Sequence, residues 1–411
     1  MTSVAALKDR VCRRVDDVAP ELIALSRTIH ANPELAFRER RAVAAITGLA
    51  ARHGLRLRTG AAGMPTAFAG ELGAAGPRVA MLCEYDALPG IGHGCGHHLI
   101  AAAGLGAALA AADVTGTAGG RVRLVGCPAE ESGGGKIRLL DGGVFRGVAA
   151  VLMVHPNSYE TAHPRIVAAT SLDVVVIGRA AHASLFPERG VNALDGLVLG
   201  YQAVAALRPH LPAGDRVTGI IREGGTAANI VPDRATSTFL LRSPRAETLL
   251  PLERRIRQAL TAAAASVGAG VTIRRSMPVY AELDTSNPLA GAYVGNVTRL
   301  GRRPLRASKV PANVVGSSDI GNVGAVVPAI HPMLRISSAY TVPHTAEFAA
   351  AAVGPVAERA MLDGAKALAM TAVDVWTRPE LRAAMSVEHG VMRRRRHRES
   401  TRRSSRVHQV A

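Results

Sequence analysis

Three short apolar runs early in the chain each end in side chains that ionise or bind metals. They are RVAMLCEY (78–85), GRVRLVGCPAEE (120–131) and GVAAVLMVHP (147–156). Each run lies between turn-forming residues and is short enough for a buried strand. The segment after the first run, CEYDALPGIGHGCGHHLIAAAGLGAALA, crowds acids, histidines and cysteines ahead of a smooth Ala/Leu/Gly stretch. The spacing predicts a helix from Leu99 to about Ala112. Strand–helix–strand alternation of this kind specifies an α/β fold with a mostly parallel sheet flanked by helices. In such sheets ligands sit beyond the carboxyl ends of the strands, where all three polar clusters fall.

The pattern changes from about residue 171. SLDVVVIGRAAH reads as a strand, GVNALDGLVLGYQAVAAL as a helix, and RVTGIIREGG and RATSTFLLRS as two strands. AETLLPLERRIRQALTAAAASV follows as a helix and GVTIRRSMPVYAEL as a strand. The order β-α-β-β-α-β is that of a ferredoxin-like α+β unit. Signals typical of the first region resume after about 287, so the unit is an insertion. The expected division is a catalytic domain in two parts, 1–170 and 287–389, an inserted domain at 171–286, and a basic tail at 390–411. Residues 16–55 read as two amphipathic helices separated by ANPEL, whose Asn-Pro breaks the first.

Chemistry concentrates at the predicted strand ends. Cys95 and His97, one glycine apart, are soft donors on a Gly-rich loop. Glu130 and Glu131 form an acid pair after the second strand, and one can ligate while the other takes a proton. His155 closes the third run, and His344 lies in VPHTAEF ahead of another helix. These donors suffice for two metals sharing a water. Each residue also has an ordinary structural reading, because a lone cysteine is often a small buried hydrophobe and adjacent glutamates are often solvated. Spacing alone does not name the reaction.

Charge raises the question of nucleic acid. The net charge is +17, and the stretch MRRRRHRESTRRSSRVHQVA supplies eight Arg against one Glu. A terminal block of like charge reads as a solvated, disordered tail. No aromatic residue is interleaved with it as a base-stacking platform requires, which argues against nucleic-acid binding as the main function. No run is long and apolar enough for a membrane span, and MTSVAALKDRVCRRVDD lacks a signal-peptide core. With only four cysteines in 411 residues, the expected setting is reducing and cytoplasmic.

Read together, EYDALPGIGHGCGHH, CPAEESGGGK, MVHP, AAHASLFPERGVNALDG, ANIVPDRA, GSSDIGNVGAVVPAIHP and PHTAEF resemble the motif series of one metalloenzyme family. It is the aminoacylase/carboxypeptidase family of co-catalytic metallo-amidohydrolases, peptidase family M20. The match runs in order from about residue 16 to 388. It is nearest to the branch of aminobenzoyl-glutamate hydrolases, auxin-conjugate hydrolases and dipeptidases acting on β-alanyl-lysine-type peptides. The resemblance implies a zinc-exopeptidase-like catalytic domain carrying a lid and dimerisation domain. It further implies that Cys95, His97, Glu131, His155 and His344 bind two divalent ions, Zn or Mn, and that Glu130 is the general base. Asp86 takes the place of a supporting acid, and Glu84 stands where more distant relatives have a ligand histidine. His182 corresponds to a lid histidine that reaches the partner subunit's site, while Asn229 and Arg242 match substrate-binding positions.

The implied activity is hydrolysis of an amide or peptide bond in a small N-acyl amino acid or dipeptide, by a metal-bridged hydroxide, in a homodimer formed through the lid. The alternative is an inactive relative that binds an amino acid or peptide. One departure stands out: His98 occupies the position after CGH where the family has Asp or Asn, next to His97. The Arg-rich tail has no family counterpart.

Overall fold

The structure, a computed structural model, describes residues 2–311 and 315–407, with side chains as far as Arg396. The chain forms two compact units, Met1–Ile166 with Leu283–Ala411, and Val167–Glu282. The expected insertion at 171–286 lies a few residues later at each end, because the first strand of the inserted unit already begins at Ala168.

The larger unit opens with α1 (Val4–Asp17), α2 (Ala19–Ala31) and α3 (Arg40–Arg52), then β1 (Arg58–Thr59), β2 (Phe68–Leu72) and β3 (Arg78–Glu84). There follow α4 (His97–Ala112), α5 (Thr115–Ala118), β4 (Arg121–Cys127), α6 (Gly135–Asp141), β5 (Val148–Leu152) and β6 (His155–Asn157). The inserted unit consists of β7 (Ala168–Ile177), α7 (Ala193–Leu207), β8 (Arg216–Glu223), β9 (Arg234–Ser243), α8 (Ala246–Ser266) and β10 (Gly270–Tyr280). The chain returns through α9 (Asn287–Arg299), α10 (Ile320–Gly324), β11 (Ala329–Ile330), β12 (Met333–Arg335), α11 (Ala346–Ala351), α12 (Pro355–Thr377) and α13 (Pro379–Val407).

The main sheet has the order β1-β2-β4-β3-β5-β11. β3 runs parallel to β4 and β5, and β5 runs parallel to β11, so the centre is parallel. β1 and β2 add an antiparallel edge. β3 is buried almost throughout, which explains its unbroken apolar sequence. Against it packs α4, buried along nearly its whole length. Gly104 sets their spacing: a Cβ there would lie 2.4 Å from the Leu82 carbonyl oxygen. The small residues of α4 therefore let a helix backbone approach a strand closely. In the inserted unit the sheet is antiparallel with order β10-β7-β9-β8. Its core gathers Val174 and Phe239 from the strands with Leu197 and Ile256 from the helices.

Three details differ from expectation. α1 is an extra helix, capped by Ser3 and buried through Leu7, Val11 and Val15 on a single stripe among charged residues. α4 starts at His97, so His97 and His98 belong to its first turn rather than to the preceding loop. Residues 390–407, expected as a disordered tail, continue α13 as helix. Arginine is a good helix former, and the single Gly390 does not stop the run. Arg396 is anchored on it by an ion pair to Asp284 at 2.9 Å. The last four residues of the expected tail lie outside the described residues. Among the described residues, no helix is long and apolar enough to cross a membrane.

Candidate metal centre

The centre is built where β3, β4 and β6 meet the loops that follow or flank them. Asp86, just beyond β3, is buried and accepts two hydrogen bonds that organise its neighbours. Its Oδ1 takes the His97 Nδ1–H at 3.0 Å, and its Oδ2 takes the Glu131 backbone N–H at 3.0 Å. The first bond fixes the His97 tautomer and leaves Nε2 as the lone-pair face. That nitrogen is buried with no hydrogen-bond partner, as is Glu131 Oε1. It lies 3.5 Å from Glu84 Oε2 and 3.8 Å from both Glu130 Oε2 and Glu131 Oε1.

His155 is oriented in the same manner. Its Nδ1–H donates to the Pro156 carbonyl at 2.7 Å, which turns Nε2 toward the Cys95 sulfur at 3.4 Å. His344 closes the cluster from the far end of the chain, with Nε2 3.5 Å from Glu131 Oε1. Its backbone is held at φ 67°, and its N–H donates to the Gly94 carbonyl at 2.8 Å. This bond ties the last donor to the loop that carries Cys95.

The five expected ligand residues thus fall into two sets. Donor atoms of Cys95, His97 and His155 lie within 4.8 Å of one another, and so do those of Cys95, Glu131 and His344. The sulfur of Cys95 is common to both. A third set, Glu84, His97 and Glu130, meets the same distance limit. Here, however, a cation is already present: Lys136 Nζ lies 2.5 Å from Glu84 Oε1 and 2.5 Å from Asp319 Oδ1.

The electrostatics follow from burial. Desolvation, reinforced by Glu84 and Glu131, pushes the Glu130 carboxyl well above its ordinary range. Burial lowers His155 to about 4 and keeps its ring neutral. Burial also opposes a charge on Lys136, but Asp319 and Glu84 outweigh it and raise the ammonium well above the usual lysine value.

Residues of the inserted unit make a separate group. His182 is exposed, and its Nδ1 accepts from the Ser184 and Leu185 N–H groups at 3.3 Å. It bridges to Ile230, and the Asn229 carbonyl accepts from Ala183 at 3.0 Å, so His182 and Asn229 sit on adjoining loops. Arg242 lies on β9 opposite Ala169 and Arg216, half-buried, with its Nε lacking a hydrogen-bond partner.

Sequence reasoning missed Lys136, Asp319 and His331. His331 is buried, stacks on His155 with ring centroids 5.1 Å apart, and has no hydrogen-bond partner on either nitrogen. All three occur inside quoted motifs, SGGGK, GSSDIGN and VPAIHP, yet nothing local marks them as buried. His98, the departure next to His97, turns away from that ring. Its Nε2–H donates to the Ala352 carbonyl at 2.9 Å, and the ring packs against His30 and His93.

Comparison with known proteins gives the family. Residues 168–267 match the family pattern described as a peptidase dimerisation domain. Over 392 residues, 91% of this chain and 90% of the relative, the sequence is 39% identical to a mouse Xaa-Arg dipeptidase. The chain belongs to the M20 peptidase family. An aminobenzoyl-glutamate utilization protein from Klebsiella pneumoniae has the same fold, at a TM-score of 0.71 and 21% identity, covering 90% of this chain and 99% of that one. A Bacillus subtilis protein described as a dinuclear metal-binding peptidase of the family superposes at a TM-score of 0.64 and 20% identity, over 88% of this chain and 99% of its own. As an M20 member, the protein is a metal-dependent hydrolase of peptide or amide bonds. Its residues fit two divalent ions: two sets of three donors share a sulfur, buried nitrogen and oxygen atoms lack other partners, and the His97 and His155 rings are fixed from behind.

Proposed function

We propose that this enzyme hydrolyses dipeptides and N-acyl amino acids, with dipeptides ending in arginine as the first class to test. The observation that carries the reading is the pair of donor sets joined at Cys95, with Glu130 beside them. The substrate class is supported by the similarity to the mouse Xaa-Arg dipeptidase. Two divalent ions held by Cys95, His97, Glu131, His155 and His344 would supply Lewis acidity toward the scissile carbonyl and lower the pKa of a water. Thiolate favours Zn, while carboxylate and imidazole donors also admit Mn.

The chain's own groups then divide the work. Glu130 takes a proton from the attacking water and returns it to the leaving amine. Asp86 holds the His97 ring and the Glu131 backbone in register through its two oxygens. His182, supplied by a second copy, donates to the developing oxyanion. Asn229 and Arg242 bind the substrate's carboxylate end.

A homodimer through the inserted unit is supported by β8, which is an edge strand paired only with β9 in its sheet. It exposes Ile220 and Ile221, an apolar edge of the kind that pairs with another chain. The four cysteines are all free thiols, which supports a reducing, cytoplasmic setting. The test is to strip the purified enzyme with EDTA, reload it with Zn or Mn, and assay Xaa-Arg dipeptides beside N-acyl amino acids. Metal-dependent turnover of the dipeptides is expected. Turnover that survives stripping, or a metal-loaded enzyme that cleaves none of these substrates, overturns the reading.

A further inference from the structure

Glu39 lies far from the metal ligands in sequence and is completely buried, yet it belongs to none of the donor sets. One of its oxygens, Oε1, accepts two backbone N–H groups: Phe37 at 2.9 Å and Ala129 at 2.9 Å. Both of these residues have left-handed backbones, with φ 62° at Phe37 and φ 58° at Ala129. That region is costly for residues other than glycine and persists where the surroundings enforce it. Ala129 immediately precedes Glu130, and its own carbonyl accepts from Gly133 at 2.9 Å and Gly134 at 3.0 Å. The turn is closed so tightly that a Cβ at Gly133 would meet the Phe37 ring at 2.4 Å and the Ala129 methyl at 2.7 Å.

Two carboxylates therefore bracket Glu130 along the backbone. Asp86 holds the N–H of the residue after it, and Glu39 holds the N–H of the residue before it. We propose that Glu39 is a positioning residue for Glu130, forcing Ala129 into its left-handed conformation so that the Glu130 carboxylate faces the His97 end of the centre. The inference rests on the assignment of Glu130 as the base. Burial pushes the Glu39 carboxyl up to about 7, against the pull of the backbone N–H bonds it receives. An assay at pH 8 therefore holds it as the charged acceptor.

The experiment compares E39A, E39Q and E130Q in the metal-loaded enzyme at pH 8. It reads kcat, KM, bound metal and the amide exchange of the peptide spanning residues 128–134. E39A should lower kcat by about tenfold to a hundredfold, the cost of misplacing a reacting group by about an ångström. KM and metal content should hold, and exchange in the 128–134 peptide should quicken. E39Q keeps an oxygen that can accept both N–H groups, and should restore kcat to within about threefold and slow the exchange again. E39A with wild-type kcat and exchange overturns the proposal. So does E39Q with kcat lowered by about tenfold or more from wild type, and this arm decides the matter if E39A does not fold. E130Q separates the two readings: if it stays active the base assignment fails, while the exchange data still decide whether Glu39 holds the loop.

Discussion

Two loop systems carry the polar groups assigned to this enzyme, and they differ in nearly every physical respect. Around β3, β4 and β6 the donors are buried or half-buried except the exposed His344, and two of the three rings are turned by a hydrogen bond from behind: His97 by Asp86, His155 by the Pro156 carbonyl. In the inserted unit His182 and Asn229 are exposed, surrounded by Leu185, Phe186 and Ile230, which are also exposed. The first system has its geometry set before any substrate arrives, and the energy for that was spent in folding one chain. The second presents a histidine among uncovered apolar side chains, an arrangement that gains by being covered. The contrast fits the proposal that bond-breaking belongs to the first system and that a second copy covers the second.

The largest effect should come from the first. Glu130→Gln removes the proposed proton acceptor while keeping its shape, and should reduce kcat by about 10²–10⁴-fold with metal content unchanged. Normal turnover would move the base elsewhere. His182→Ala tests the second system and should cost about 10²-fold in kcat, the value of one oxyanion donor, with metal content and oligomeric state unaltered. In a mixture of His182→Ala and Glu130→Gln chains, activity should rise well above that of either variant alone if the histidine is supplied by a second copy. No recovery would confine both residues to the same chain's site.

Smaller effects sharpen the contrast further. His93, buried beside the ligand loop and donating Nε2–H to the Ile29 carbonyl at 3.1 Å, is lowered to about 3 by burial, with the neighbouring His97 adding to it. Its folded-state pKa lies below its unfolded value of about 6.5, so between those limits the unfolded chain binds the extra proton. Its contribution is complete above about 6.5 and is lost as the pH falls toward 3. Between pH 7 and 5.5 the loss should be about 1 kcal/mol from this residue. Denaturant melts of wild type and His93→Gln at the two pH values measure it, and equal pH dependence of the two proteins would remove His93 as the source. The smallest change should be His98→Asn. Because His98 bonds Ala352 and does not touch His97, activity and metal preference should stay within about twofold of wild type. A switch in preferred metal would show that His98 acts on the centre after all.

Much of the fold could be read directly from the chain. Apolar runs that end in acids and histidines mark parallel strands, and the β-α-β-β-α-β order of the insertion is visible because its helices and strands alternate without ambiguity. α1 was missed because its buried stripe is only Leu7, Val11 and Val15 among arginines and aspartates. The donor residues stood out by chemical type and by falling at strand ends. What supports them was hidden for a different reason. Lys136 after three glycines reads as a solvated charge, and only Glu84 from β3 and Asp319 ahead of α10 make it a buried ion pair. Glu39 in AFRERR reads as one surface charge among several, and becomes a backbone clamp only when residues 37 and 129 are brought together. A candidate ligand is recognisable by residue type, whereas these supporting contacts arise across long sequence separations.

The central claim is that the two donor sets share the sulfur of Cys95, and metal analysis of stripped and reloaded protein addresses it most directly. The wild type should take up two divalent ions per chain, and Cys95→Ala, which shortens both sets at once, should retain neither at the same free-metal concentration. A Cys95→Ala chain that still holds one ion tightly would mean the sulfur serves a single site, and the account of a joined centre would be wrong.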